Sequence, residues 1–342
     1  MNAGHAYVGG GDVPEVKRIP LGLLGAKLVQ DPATKAVKIV HILPGENWEK
    51  DKNLHSPLTE PGVDMHEGDY LIAIDGRPVA SLASPFEALV NKVGKQVALT
   101  VNKEPKPEGA REVVVVPIGD EAKLYYRDWV RTNQRKVDEA TGGKVGYVHV
   151  PDMQTTGLNE FVRQFGPQLR KKALIIDVRG NAGGNVSPML IERLRRDLVM
   201  VDIARNGIPT PDPADLLAGP KVCLLNEYSA SDGDLFPYRF RQMKLGKLIG
   251  KRSWGGVVGI RNPLPLVDGG KLNRPEFSRY DLAGKEWIIE GHGVDPDIVV
   301  DNDPAKEYAG EDQQLQKAIE VILEELKQHE LTLPAVPQYP KK

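Results

Sequence analysis

The sequence predicts an α/β protein with a mostly parallel sheet, preceded by a β-rich domain of about a hundred residues. Two patterns carry that prediction. Strand and helix signals alternate from residue 145 onward, and short β runs separated by turn residues fill residues 19–119. The 342 residues, 40% hydrophobic and 27% charged, supply ordinary globular material for two or three domains.

Residues 1–19, with His5-Ala-Tyr-Val-Gly-Gly-Gly11, are Gly-rich and cannot bury a core on their own. Beyond them, β runs are expected at 25–29, 35–42, 70–74, 96–101 and 111–117. Asp75-Gly76 has hairpin-turn chemistry, because glycine accepts the positive φ such turns require. Residues 84–92 read as a short helix. A longer one is expected over 121–139, with apolar positions Leu124, Tyr125, Trp129 and Val137 and a stop at Gly142-Gly143. Strands at 145–150, 173–178, 222–225 and 247–250 then alternate with helices at 158–169, 187–196 and 232–243. Leu315, Ile319, Ile322, Leu323 and Leu326 form one helical stripe, so 313–328 is a closing amphipathic helix. The Pro-rich, basic tail 333–342 reads as an extended arm.

Several function classes are disfavoured. Lys plus Arg is 45 against 47 for Asp plus Glu, a formal charge of −2, whereas a nucleic-acid-binding domain carries a basic excess. No apolar run reaches the length of a membrane-spanning helix, and the first residues show neither the basic nor the apolar region of a secretory signal. Cys223 is the single cysteine, which excludes an internal disulfide and a cysteine-based zinc cluster. The expectation is a soluble, cytoplasmic protein without metal or organic cofactor.

Two turns draw attention. Asn226-Glu-Tyr-Ser-Ala-Ser231-Asp-Gly-Asp-Leu-Phe236 places hydroxyls between an apolar strand and a helix. There the helix dipole and free amides favour the negative charge that attack by a serine creates. The plainer reading is that Ser229 or Ser231 caps the helix. Asp177-Val-Arg-Gly-Asn-Ala-Gly-Gly-Asn185 is a second Gly-rich turn at a strand end. It lacks the Gly-Lys-Ser/Thr ending of a phosphate loop and could aim amides into a nest or simply turn the chain tightly. Both would project from the carboxyl edge of one sheet, where ligands bind. A serine nucleophile needs a base. His41, His55, His66 and His329 read as surface positions and His149 as a packed core residue, which leaves His5 and His292 open.

Residues 226–236, Lys247-Leu-Ile-Gly-Lys-Arg-Ser-Trp-Gly-Gly-Val-Val-Gly259 and residues 290–297 resemble the catalytic half of the tricorn peptidase family, as do 146–153 and 157–161. That family is related to the C-terminal processing peptidases. Leu21-Gly-Leu-Leu-Gly25 is similar to the loop with which PDZ domains take a peptide carboxylate, and residues 68–76 to a PDZ strand-turn signature. The resemblance implies a crotonase/ClpP-like core at 120–332, an inserted PDZ-like domain at 19–119, and a remnant of a first catalytic subdomain at 1–18. It also implies a serine endopeptidase with Ser231 as nucleophile, His5 as general base and Glu290 as the acidic member. The amides of Gly184 and Asp232 would form the oxyanion hole, and Asp202, reaching in from a neighbouring subunit, would select a basic residue before the scissile bond. Implied partners are peptide substrates, further copies of the chain in a hexamer, and the proteasome and aminopeptidases on either side of the pathway.

Two departures from the family stand out. The serine that precedes the histidine is Gly4 here, so the hydroxyl linking acid to imidazole is missing. The upstream propellers are also absent, which suggests a truncated chain or gene fragment. The alternative is therefore a non-catalytic PDZ-type peptide-binding module. The related processing peptidases use a Ser–Lys dyad, and the position of that lysine is Gly256, which favours the Ser–His arrangement.

Overall fold

The structure, a computed structural model, describes residues 4–261, 264–329 and 332–339. Residues 1–3 of the histidine-bearing segment and 340–342 of the tail lie outside these. The chain divides into two compact units, one of residues 14–132 and one of residues 1–13 with 133–342.

The unit of residues 14–132 is an antiparallel sheet of β1 (Ala26–Gln30), β2 (Val37–Ile42), β3 (Tyr70–Ile74), β4 (Val97–Asn102) and β5 (Arg111–Val115), in that spatial order. Alternation does the sorting. Val97, Leu99 and Val101 point inward from β4 and join Leu24, Ile39, Leu71 and Leu89 in one core. Asp75 (φ 47°) and Gly76 (φ 74°) turn β3 back onto the short strand Arg77–Pro78, as their hairpin chemistry predicts. The helix expected at 84–92 is instead a five-residue 3₁₀ turn, Pro85–Leu89, capped by the Ser84 side chain. Val90 ends the turn by leaving it in extended conformation and bridging Leu21.

The second unit is built on a parallel sheet of β6 (Val145–His149), β7 (Ala173–Asp177), β8 (Lys221–Leu225), β9 (Gly246–Gly250) and β10 (Ile298–Val299), ordered β10-β9-β8-β7-β6. β6, β7 and β8 are buried at every position, the mark of a sheet covered on both faces. Leu174, Ile176, Cys223, Leu225 and Leu248 meet Phe161, Phe165, Leu190, Phe236 and Phe240 from α2 (Thr155–Gln168), α3 (Ser187–Leu194) and α4 (Asp232–Gln242). Each such side chain stabilises the fold by about 1.5–3 kcal/mol when fully buried. The alternate side chains serve the other face, where α5 (Gln313–Gln328) packs on β7, β8 and β9. Asp177, at the end of β7, accepts from Tyr147 Oη (2.7 Å) and from Arg179 Nη2 (2.6 Å), and Arg179 Nη1 reaches Asp312 beside the start of α5 (2.9 Å).

α1 (Ala122–Thr141) forms as expected, and the boundary between the units falls within it. Its buried stripe differs from the reading. Leu124, Val130 and Val137 are buried, whereas Tyr125 and Trp129 are among the exposed large side chains. Aromatic rings fitted the helical period, but period alone does not reveal which flank of the stripe is covered. The Gly-rich start of the chain gains its order by pairing: Val8–Gly9 lies antiparallel to Lys271–Leu272.

Candidate active site

β7 and β8 are parallel neighbours, so the turns that follow them leave the same edge of the sheet. One residue, Asn181, joins them through its backbone and braces its own turn with its side chain. The Asn181 carbonyl accepts from Ala230 N (2.8 Å), its Oδ1 from Gly183 N (3.0 Å), and its Nδ2 donates to Val150 O (2.8 Å). Gly180 N donates to Asn226 Oδ1 across the same gap (2.9 Å). Asn181 was not singled out from the sequence, although asparagine side chains in turns commonly bond nearby backbone groups.

The two serines of the second turn separate cleanly. Ser229 is fully buried and its hydroxyl is consumed, donating to Val178 O (2.8 Å) and accepting from Asn226 N (3.1 Å). Ser231 stands at the N-cap of α4 but makes no side-chain capping bond, so neither serine caps the helix. Its backbone has φ 56° and ψ −117°, a conformation that costs a side-chain-bearing residue about 1–3 kcal/mol. Such a sharp strand-to-helix turn lifts a hydroxyl clear of the sheet and points it at the helix N-terminus.

The Gly-rich turn fits against that serine. A Cβ on Gly183 would lie 2.6 Å from Ser231 Cβ, and one on Gly184 (φ 148°) 1.9 Å from Met153 O. Only glycine lets the two turns approach so closely. Met153 O holds the turn by accepting from Asn185 N (2.6 Å) and Val186 N (3.1 Å). The amides of Gly184 and Asp232 donate to no acceptor among the described residues. The Asp232 carboxylate faces away, accepting from Ser187 N (2.9 Å), Ser187 Oγ (2.6 Å) and Arg239 Nη1 (2.9 Å). That network pins the first turn of α4 to α3.

His5 reaches this region through residues 253–258. Its ring meets the Trp254 ring edge-on at 5.8 Å, and Trp254 N donates to Ser229 O (3.0 Å). One residue thus touches both the histidine and the serine turn. Asp234, in the first turn of α4, accepts from Gly255 N (2.8 Å), and burial pushes its carboxyl up against that bond. Glu290 closes the segment from the other side. Its Oε2 accepts from Val257 N (2.6 Å) and Val258 N (2.8 Å), and its Oε1 from Gly4 N (2.9 Å). Burial raises the Glu290 carboxyl, but the Gly4, Val257 and Val258 amides and the charge of His5 outweigh it and hold the carboxyl below its usual range. Among the described residues no bond replaces the missing hydroxyl at the ring; Glu290 instead grips the backbone amide of Gly4, the residue before His5. The His5 ring makes no hydrogen bond to Ser231 among the described residues, and its Nδ1 is buried without a partner.

The remaining candidates lie elsewhere. His292 is exposed and tied to Asp295 Oδ2 (2.6 Å) and Arg252 Nη1 (3.3 Å). His149 is buried as expected, facing Arg179 O (3.1 Å), and burial lowers its pKa. His55 corrects its surface reading: its side chain is 13% exposed, held by Glu60 and the Glu49 carbonyl. Asp202 is exposed at the end of the strand Met200–Asp202, which pairs with Thr210–Asp212. Trp254 and Asp234 went unassigned in the sequence, although Asp234 carries the first-turn acid signal.

Comparison with known proteins bears on this geometry. Residues 144–300 match Peptidase family S41, and residues 22–120 match the Tricorn protease PDZ domain. Tricorn protease homolog 1 of Streptomyces coelicolor is 39% identical over 333 residues, covering 96% of this chain and 30% of that protein. Tricorn protease of Thermoplasma volcanium is 39% identical over 284 residues, 83% of this chain and 27% of that protein. The crystal structure of the tricorn protease superposes with a TM-score of 0.86 at 33% identity, over 95% of this chain and 31% of that one. The chain therefore spans less than a third of the length of these relatives. The chain thus carries a Peptidase family S41 domain and a Tricorn protease PDZ domain, in the same chain as in the tricorn proteases it is similar to.

Proposed function

We propose that this chain is a serine endopeptidase that trims short or unfolded peptides through an acyl-enzyme. Ser231 Oγ attacks the scissile carbonyl while His5 takes its proton, and His5 returns that proton to the leaving amine. The amides of Gly184 and Asp232 meet the oxyanion, a role worth about 3–4 kcal/mol per donor in such sites. Water, deprotonated by His5, then cleaves the ester and restores Ser231. Glu290 positions His5 by gripping the amide of the residue before it and favours the imidazolium by its charge. The observation that carries this reading is the uncapped Ser231 in its strained turn, faced by two amides without protein acceptors.

The finer assignments rest on the family. They are a crotonase/ClpP-like core with a PDZ insertion, a cytoplasmic oligomer, and a place downstream of the proteasome. Asp202 would cross into a neighbouring subunit and favour Lys or Arg before the scissile bond, and its exposed carboxylate suits that role. A binding-only module is the second reading, favoured by the absent bond between His5 and Ser231.

Internally quenched peptides with Arg or Leu before the cleaved bond test the proposal. The expected result is turnover that Ser231→Ala abolishes, with Asp202→Ala lowering kcat/KM on the Arg peptide at least about tenfold more than on the Leu peptide, a loss of the order of one ion pair. Equal losses on both peptides reject the role of Asp202. Peptide binding without turnover supports the module.

A further inference from the structure

The loop Leu21–Gly25 resembles one that captures a peptide carboxylate, yet its amides are already engaged. Gly22 N donates to Leu89 O (2.9 Å) and Leu23 N to Ile118 O (2.7 Å). Gly25 N donates to the side-chain carboxylate of Glu121, at 2.6 Å. The Ala26 amide also bonds to that carboxylate. Gly25 has φ 72°, the left-handed conformation that turns successive N–H groups to one side and makes an anion nest. All of these residues lie within the unit of residues 14–132.

The surroundings suit a peptide terminus. β1 starts at Ala26 and is an edge strand, bonded on one side only, with Val29 exposed. An extended peptide added along that edge gains backbone bonds in the manner of strand addition. Ser56, fully buried beside Gly25, has a hydroxyl with no partner, a donor available for a second carboxylate oxygen. Pro57, which also packs on Gly25, lines a cavity of about 630 Å³ with Val63, Val93 and Val116, room for an apolar terminal side chain.

We propose that Glu121 is an internal ligand that closes the carboxylate nest of this unit, so that a peptide C-terminus docks on the β1 edge only by displacing it. The contact is autoinhibitory and independent of the chemistry at Ser231. Burial pushes the Glu121 carboxyl up, and the Gly25 and Ala26 amides offset this only in part, so the internal ligand is held under desolvation cost and can be exchanged.

The test uses the full chain carrying Ser231→Ala, so that nothing is cleaved. The probe is a fluorescein-labelled, alanine- and valine-rich decapeptide ending in valine, made as the free acid and as the C-terminal amide, with binding read by anisotropy. The parent chain is expected to bind acid and amide alike. Adding Glu121→Ala is expected to tighten the acid about tenfold and leave the amide unchanged, as expected when a charged hydrogen-bonding partner becomes available. Glu121→Gln is expected to shift the amide NMR resonances of Gly25 and Ala26 and to favour the acid in the same direction. A parent chain that prefers the acid tenfold overturns the proposal, as does a folded Glu121→Ala chain that binds both forms equally. Should Glu121→Ala not fold, unmoved Gly25 and Ala26 resonances in Glu121→Gln overturn it instead.

Discussion

At the residue scale, the candidate site turns on what each side chain has left to give. Ser229 and Ser231 lie two residues apart in one hydroxyl-rich turn, and the sequence alone cannot rank them by hydrogen bonding. The tertiary structure does, because Val178 O and Asn226 N consume the first hydroxyl and no cap bond consumes the second. Gly4 carries a prediction. Restoring the serine found there in the tricorn family puts a Cβ 2.8 Å from Gly256 Cα and 3.1 Å from the Trp254 ring. Backbone has to move, and it is the backbone that holds Trp254 against His5. Gly4→Ser is therefore expected to lower kcat/KM by at least about tenfold, since ångström-scale misplacement of a catalytic group costs up to a hundredfold. A rise in kcat/KM would show instead that the missing hydroxyl limits the enzyme. The histidine was equally illegible from residues alone. His5 and His292 both sit in Gly-rich segments, and only the pairing of Val8–Gly9 with Lys271–Leu272 and the bonds of Glu290 bring one of them to the serine turn.

At the element scale, most of the parallel core could be read directly. A strand buried on both faces is an unbroken apolar run, and residues 173–176 and 222–225 are such runs. What failed was local geometry set by few residues: the 3₁₀ turn at Pro85–Leu89, and the exposed flank of α1 bearing Tyr125 and Trp129. β8 opens with an anomaly that makes a stability prediction. Lys221 is buried, its Nζ bonded to Gly219 O (3.0 Å), and burial lowers its pKa to about 8, with Asp197 opposing. An unfolded lysine titrates near 10.4, so between those values the unfolded chain binds the extra proton and stability rises with pH. The rise attributable to Lys221 is of the order of 3 kcal/mol. Urea unfolding from pH 7 to 10.5 is expected to show a difference between the parent chain and Lys221→Met that narrows by this order as pH increases. A constant difference would mean that Lys221 titrates normally.

At the scale of the whole molecule, two matched domains and a short N-terminal strand contribute different things. The parallel sheet presents two turns at one edge, the segment of residues 253–258 ties the serine turn to His5, and Glu290 ties that segment to the start of the chain. Tertiary bonds hold these pieces together. They span 286 residues of sequence between Gly4 and Glu290, which is why no local pattern announced them. Because every piece of the candidate site lies in one compact unit, its chemistry can be tested apart from the peptide capture proposed for the other.

The most direct trial is covalent labelling of the folded chain with a fluorophosphonate, followed by intact-mass and peptide mapping. The account predicts a single adduct on Ser231, absent from Ser231→Ala and formed at least about a hundredfold more slowly in His5→Ala, the usual worth of a general base. A folded chain that takes no label, or one whose labelling rate is untouched by His5→Ala, would contradict it.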